Sequence, residues 1–161
     1  MARIEARLDA LGIVLPPPLK VPAGVVLPFQ FVRVSGARAW IAGHGPQAPD
    51  GSVAQPIGKV GRELTVDEGR AAARLVGISI LASLKRALGD LDRVVAWTRV
   101  FGMVNSAPGF NRQPQVINGF SELILDLYGP DVGAHSRSAV GMAELPFDIP
   151  VEIEAEVELR D

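Results

Sequence analysis

Alternation of apolar and acidic residues is the clearest pattern in the chain. Across residues 151–159 every odd position is apolar and every even position is glutamate. A period of two places the two sets on opposite faces, which is typical of a half-buried antiparallel strand. Runs rich in β-branched and aromatic residues predict further strands at 31–34, 38–42, 94–101 and 138–143.

Helical periodicity appears in three places. Ile4, Leu8 and Leu11 recur at i, i+4 and i+7, which predicts a short amphipathic helix over residues 3–11. A second helix begins at Thr65, which has the capping-box spacing with Glu68, and continues to residue 88. The third covers residues 116–128, where Gly129-Pro130 ends it.

The longest helix carries apolar residues on more than one stripe. This distribution indicates burial both on a sheet and against another helix. Gly77 lowers helix propensity at its centre, and we expect it to allow another helix to approach closely.

The order of elements indicates an α+β fold, in which two helices pack on one face of a mixed sheet. Residues 1–22 combine the first helix with a connector containing Pro16, Pro17, Pro18 and Pro22. Prolines lack a backbone donor, so this connector is expected to be extended and to lie on the main domain as an N-terminal extension. Residues 23–161 then form a single domain, with a Gly- and Pro-rich loop over residues 43–62.

Composition narrows the possible functions. The 161 residues carry a net charge of −2 and no run of Lys and Arg, so a nucleic-acid partner is not expected. There is no cysteine, which excludes disulfides and a thiolate nucleophile. With two histidines, no histidine metal centre or other cofactor is expected. No secretory pattern or membrane span is present, so a cytoplasmic location is the expectation.

Arg137 is the first candidate for chemistry. It lies among the small residues Ser136, Ser138 and Ala139, which leave room around its guanidinium. That group binds a carboxylate through two charge-assisted hydrogen bonds. The alternative is a surface arginine paired with one of the nearby glutamates, and composition alone favours this alternative.

Glu152 and the Gly43-His44-Gly45 segment are the other candidates. A glutamate in a partly dry cleft holds a water for attack on a C=N carbon, although the spacing alone does not separate Glu152 from Glu154. His44 titrates near neutral pH, and its flanking glycines let a ligand approach the backbone. The alternatives are a solvated acidic face for Glu152 and a tight turn with an exposed histidine for His44.

Three blocks together resemble the Rid family (YjgF/YER057c/UK114), in the branch labelled endoribonuclease or L-PSP-like. They are Ala42-Gly43-His44-Gly45-Pro46, then Val116-Ile117-Asn118-Gly119-Phe120, and the C-terminal series Arg137-Ser138-Ala139-Val140, Leu145-Pro146 and Val151-Glu152-Ile153-Glu154. The order and gaps of the C-terminal series carry most of the resemblance, which extends over roughly residues 25–160.

The resemblance implies a chorismate mutase-like fold, a homotrimer and ligand clefts between adjacent subunits. In such proteins the arginine binds the carboxylate of 2-oxo or 2-imino acids, and a glutamate positions water. Arg137 and Glu152 match these two residues, and Gly43 matches the backbone position beside the substrate. An open sheet face carrying Trp40, Trp97 and Phe101 is the surface we expect a trimer to bury.

The sequence also departs from the family pattern around the site. Phe29 stands where the family has a tyrosine hydroxyl, Ala42 replaces a serine, and Ala139 replaces a small thiol residue. Loss of a proton-transferring hydroxyl lowers a rate by about 10²-fold or more. The arginine that binds the carboxylate is retained, whereas the hydroxyl of the archetypal deaminase site is missing, which puts that chemistry in question.

Three functions therefore remain open. The first is an enamine/imine deaminase in which Arg137 binds the carboxylate, Glu152 orients water and His44 replaces the missing hydroxyl. The second is a non-catalytic module that binds a small carboxylate metabolite through Arg137. The third is an endoribonuclease, which the acidic composition disfavours because RNA binding requires basic and stacking surfaces.

Overall fold

A computed structural model describes residues 3–160. The helices are α1 (Arg3–Ala10), α2 (Val66–Leu88) and α3 (Gln113–Val132), with 3₁₀ turns at Leu91–Arg93 and Pro146–Asp148. The strands are β1 (Val32–Ser35), β2 (Arg38–His44), β3 (Val94–Asn105), β4 (Ser136–Met142) and β5 (Val151–Leu159). The predicted order of elements is confirmed.

Five strands form one mixed sheet in the order β1-β2-β5-β3-β4. Strand β4 runs parallel to β3, and the other neighbouring pairs are antiparallel. Helices α2 and α3 pack on one face of the sheet, where the odd-numbered residues of β5 are buried. This is the α+β arrangement, with two helices on one face of a mixed sheet, that the sequence predicts.

The predicted signals at the ends of α2 are present. Thr65 and Glu68 form both hydrogen bonds of the capping box, and Gly89 ends the helix in the left-handed conformation. The third helix starts at Gln113, three residues earlier than predicted, because Pro114 is tolerated in a first turn. Gly129 has non-helical backbone angles and interrupts its last turn.

Glycines allow α2 and α3 to cross closely. A Cβ atom on Gly77 would lie 2.9 Å from the side chain of Leu123, and one on Gly119 would overlap the backbone carbonyl of Arg70. The close approach expected at Gly77 is confirmed, and Gly119 supplies its counterpart on α3.

Helix α1 is attached to the same core. Ile4 and Leu8 are buried in the main hydrophobic cluster. The first backbone N–H groups of the helix, from Arg3 and Ile4, donate to the Asp92 carboxylate at 2.6 and 3.0 Å. A carboxylate at this position satisfies orphan donors and the positive end of the helix dipole. Within residues 3–160, no helix is both long and apolar enough to cross a membrane.

The expectation that Trp97 lies on the open sheet face is wrong. Its side chain is 1% exposed and packs edge-on against Phe120 and Tyr128 beneath the helices. Two irregularities in the pairing of β3 with β5, between Val94 and Ala96 and between Trp97 and Arg99, shift the alternation. Because each bulge adds a residue, Trp97 turns to the helical face.

Candidate functional site

A bulge near the end of β2 positions Gly43 and His44. The pairing of β2 with β5 shifts between Ile41 and His44, so the strict alternation of faces is broken there. As a result, both Ile41 and His44 are buried. The intervening Gly43 presents its bare α-carbon to the neighbouring strand.

Glu152 lies against that glycine. A Cβ on Gly43 would overlap the Glu152 carboxyl group where it now lies, so the absence of a side chain lets the carboxyl sit directly against the backbone. Burial raises the pKa of the Glu152 carboxyl above its ordinary value, and the nearby Glu154 carboxylate raises it further. Within residues 3–160, no cation lies within salt-bridge distance of this carboxyl. It is therefore available to a ligand or a water.

His44 is 4% exposed and has both ring nitrogens engaged. Nδ1 donates to the Ala42 carbonyl at 2.6 Å, so Nε2 accepts from the Ser83 hydroxyl at 2.9 Å. Ser83 in turn accepts from Arg86 at 3.0 Å. Burial lowers the pKa of His44 to about 4, which keeps the ring neutral at physiological pH.

A cavity of about 940 Å³ connects these groups. Gly43, His44 and Glu152 line it, together with Phe29 and Phe31. Much of the remaining wall comes from residues 18–22 of the N-terminal connector and from residues 25 and 27, which follow it. The structure thus brings together four of the six sequence-predicted site residues, namely Phe29, Gly43, His44 and Glu152.

Arg137 and Ala139 lie elsewhere, on edge strand β4. Arg137 is aligned with the buried Val100 of β3, and its guanidinium reaches α3. It donates to Ser121 Oγ at 2.9 Å, to Asn118 Oδ1 at 2.7 Å and to the Pro114 carbonyl at 3.2 Å. In the described part of the chain no carboxylate pairs with it, so the surface ion-pair alternative does not hold.

A hydrogen-bonded chain fixes the guanidinium of Arg137. The Ser121 hydroxyl that accepts from Arg137 donates to His135 Nε2 at 2.9 Å. His135 Nδ1 donates to the Gly133 carbonyl at 2.7 Å, which sets the tautomer of its ring. Two of the five guanidinium N–H donors remain after these bonds, and burial lowers the pKa of Arg137.

The two halves of the expected site lie on opposite faces of the sheet in one chain. Arg137 reaches the helical face, where α3 packs. Glu152 falls between Val151 and Ile153, which are both fully buried beneath the helices, so its side chain points to the other face. One chain alone therefore does not bring the guanidinium and the carboxylate to one ligand.

The open face of the sheet carries a second concavity of about 540 Å³. Trp40 and Phe101 line it beside the charged groups of Arg33, Arg99 and Glu154. The sequence predicts an apolar patch on this face. Of the three aromatic residues expected there, Trp40 and Phe101 lie on it and Trp97 does not.

Sequence reasoning missed the groups that support the site. Asn118 and Ser121 are one helical turn apart, a spacing that places them on one face of α3 toward Arg137. The sequence predicts that the connector is an extension of the domain, but it does not predict that the connector forms a wall of the cavity. Phe147 also lines the cavity. Its positive φ of 58° is unusual for a residue other than glycine, so the sequence does not predict the turn that places it there.

Comparison with known proteins gives a consistent result. Residues 5–151 match the family described as "YjgF/chorismate_mutase-like, putative endoribonuclease". The chain is 40% identical over 161 residues to Protein TCP17 of Trypanosoma cruzi, covering 99% of this chain and 96% of that protein.

Two solved structures are similar over nearly the whole chain. The protein Atu1372 of Agrobacterium tumefaciens, of unknown function, has a TM-score of 0.85 at 39% identity, covering 98% of this chain and 92% of that one. A "putative endoribonuclease" from Shewanella oneidensis has a TM-score of 0.86 at 29% identity, covering 97% and 99%. The similarity thus includes the N-terminal segment.

Proposed function

Because the chain belongs to the YjgF/chorismate mutase-like family, we propose that it is a homotrimer that binds small 2-oxo and 2-imino carboxylates in clefts between subunits. There it hydrolyses the imine to a 2-oxo acid and ammonia. The observation that carries the proposal is the unpartnered, half-buried Glu152 carboxyl against Gly43 in a large cavity.

The separation of Arg137 from Glu152 supports a shared cleft. The two side chains point to opposite faces of the sheet in one chain, so a single site that uses both requires two subunits. Arg137 of one subunit would bind the ligand carboxylate beside Glu152 and Gly43 of the next. Ala139, two residues along the same strand, would contact that ligand with its small side chain.

The chemistry assigned to Glu152 is proton transfer. Starting from the N-protonated imine, the ionised carboxylate accepts a proton from a water as that water adds to the C=N carbon, which forms a neutral carbinolamine. The carboxyl returns this proton to the nitrogen, and the C–N bond then breaks as the carbinolamine hydroxyl gives its proton back to the carboxylate. The carboxyl passes that proton to the departing ammonia, so the products are a 2-oxo acid and ammonium and the carboxylate is regenerated. A raised pKa suits a group that both accepts and returns a proton.

His44 fits a positioning role better than a proton-transfer role. Its two ring nitrogens are occupied by Ala42 and Ser83, and its pKa of about 4 keeps it neutral. The ring secures the bulge that holds Gly43 beside Glu152. Phe29, which has no hydroxyl, contributes an apolar wall to the cavity.

Release of ammonia from imines generated in situ tests the proposal. Wild type should exceed buffer, and Glu152→Gln and Arg137→Ala should each lose about 10²-fold or more. Arg62→Ala, at an exposed position, should retain full activity, since within residues 3–160 the Arg62 side chain forms an ion pair with Glu63 alone. A folded wild-type trimer that acts no faster than buffer contradicts the hydrolase proposal.

Phe29 favours a second candidate, a module that binds carboxylates without chemistry. In that case 2-oxo acids should raise the melting temperature of wild type in proportion to RT ln(1 + [L]/Kd). The shift should disappear in Arg137→Ala. No ammonia release together with Arg137-dependent binding would select this candidate over the hydrolase.

An endoribonuclease is the third candidate, because the family description and the Shewanella relative carry that word. The cavity gives it little support, since its lining is mostly apolar and includes two cations, Lys20 and Arg86. Lys20 is already paired with Asp50. Metal-free cleavage of single-stranded RNA that vanishes in Arg137→Ala would establish this activity.

A further inference from the structure

The connector is fixed in place along one side of the cavity. Lys20 donates its backbone N–H to the Gly51 carbonyl at 3.0 Å. The carbonyl of Pro16 accepts from Arg86 at 3.2 Å, and that of Pro17 accepts from Gln47 at 3.4 Å. These bonds join it both to α2 and to the loop after β2. The wall it contributes is therefore part of the fold.

Large apolar side chains remain exposed where the connector faces the cavity. They are Val21, Val25, Phe29 and Phe147. Exposed apolar groups that converge on one cavity indicate that something apolar occupies it.

Phe147 adds a second, independent indication. It is 74% exposed at the cavity, and it and the adjacent Asp148 both adopt positive φ, at 58° and 55°. Two consecutive non-glycine residues in this region carry backbone strain. This turn presents an aromatic ring to the cavity.

We infer that the ligand carries a bulky apolar side chain, of branched-aliphatic or aromatic size, and that the wall formed by the connector and by Val25, just after it, selects this side chain. This deepens the proposed function and rests on it, because Glu152 and Gly43 line the same cavity. The volume of about 940 Å³ lies in the range of drug-sized ligand pockets.

Calorimetric titration of the intact protein with three 2-oxo acids tests the inference. Pyruvate, 4-methyl-2-oxopentanoate and phenylpyruvate share the same 2-oxo carboxylate and differ in side chain. Each of the two larger acids should bind at least about tenfold more tightly than pyruvate, since even one methylene in an apolar pocket contributes that much.

Adjacent valines provide a matched pair of variants. Val25 lines the cavity and is 46% exposed, whereas Val26 is 86% exposed and does not line it. Val25→Ser should reduce the preference for the larger acids over pyruvate several-fold. Val26→Ser should keep the wild-type preference. Both positions are exposed, so melting temperatures near wild type are expected and confirm folding.

The outcomes separate this inference from the proposed function. Arg137-dependent binding of all three acids with equal affinity overturns the inference and leaves the proposed function standing. An unchanged preference in Val25→Ser also overturns it, as would follow if a neighbouring subunit fills the cavity. If Arg137→Ala still binds phenylpyruvate preferentially, that result contradicts the role of Arg137 in binding the carboxylate but supports the apolar pocket. No binding of any acid contradicts both.

Discussion

The Glu152 carboxyl has surroundings that none of the other glutamates of β5 shares. It alone lies against the bare backbone of Gly43, and it lines the large cavity. Burial there raises its pKa, which means that ionising it costs free energy in the folded state. A group that is kept reactive at the expense of stability is typical of a functional site.

Replacing Glu152 by Gln should therefore stabilise the protein while removing its activity. The folded-state pKa is raised, so stability is lost as pH rises through it, and Gln avoids this loss. The melting temperature of Glu152→Gln should exceed that of wild type by more at pH 8 than at pH 4. Glu156→Gln, on the same strand and face but not against Gly43, is the control for removing a carboxylate from this face.

For His44 we predict the opposite dependence of stability on pH. Its folded-state pKa of about 4 lies below the ordinary value of 6.5, so the stability that it contributes above pH 6.5 is lost as pH falls toward 4. The shift corresponds to about 3 kcal/mol. Urea unfolding of His44→Gln should give a flatter dependence over this interval, together with lower stability at pH 7. An unchanged slope would contradict the assignment.

Single residues were predictable where a motif marks them. Arg137, Gly43 and Glu152 can be singled out because they match motifs of the family that the chain resembles, but the alternating pattern alone does not separate Glu152 from Glu154. The contact with Gly43 makes that distinction, and it depends on a bulge. The neutrality of His44 likewise follows from its burial, which depends on tertiary packing against residues such as Ser83, 39 positions away in sequence.

At the scale of elements, the crossing of α2 and α3 depends on two glycines with different neighbours. Gly119 faces the backbone carbonyl of Arg70, which moves only if α2 moves. Gly77 faces the end of the Leu123 side chain, which can rotate away.

Gly119→Ala should accordingly destabilise the fold by about 1–3 kcal/mol through overpacking. Gly77→Ala should change stability by less than about 1 kcal/mol, because the gain in helix propensity offsets the crowding. The free energy of unfolding in urea measures both. Equal costs for the two substitutions would show that the crossing is not limited by the backbone at Gly119.

Element type and order followed from periodicity and capping signals, as the capping box at Thr65 and the alternation of β5 illustrate. The faces to which the side chains of β3 point did not follow from these signals. Its two bulges move Trp97 from the expected open face into the core, and bulges leave no reliable mark in a sequence.

At the scale of the whole molecule, the open sheet face is where we propose that subunits meet. Trp40 is 40% exposed there beside Phe101, and the cleft proposed for the ligand requires a neighbour on this side. The expectation of a trimer comes from the family resemblance. The apolar patch on the open face is smaller than the sequence predicts, because Trp97 is not part of it.

Trp40→Glu should convert the trimer to monomers and abolish ligand binding, although Arg137 and Glu152 are untouched. Leu125, which is 39% exposed on α3, provides a control of equal exposure on the helical side. Leu125→Glu should remain trimeric and bind normally. Light scattering together with calorimetry measures both properties, and a Trp40→Glu monomer that still binds 2-oxo acids contradicts the shared cleft.

Mixing two inactive variants tests the central claim most directly. Arg137→Ala and Glu152→Gln each lack one half of the site, and each trimer alone should be inactive. Co-refolded in equal amounts, they should recover up to roughly a quarter of the wild-type ammonia release, because random assembly of a closed trimer pairs an intact Arg137 with an intact Glu152 at that fraction of its interfaces. Mixed trimers with no recovered activity would contradict the account.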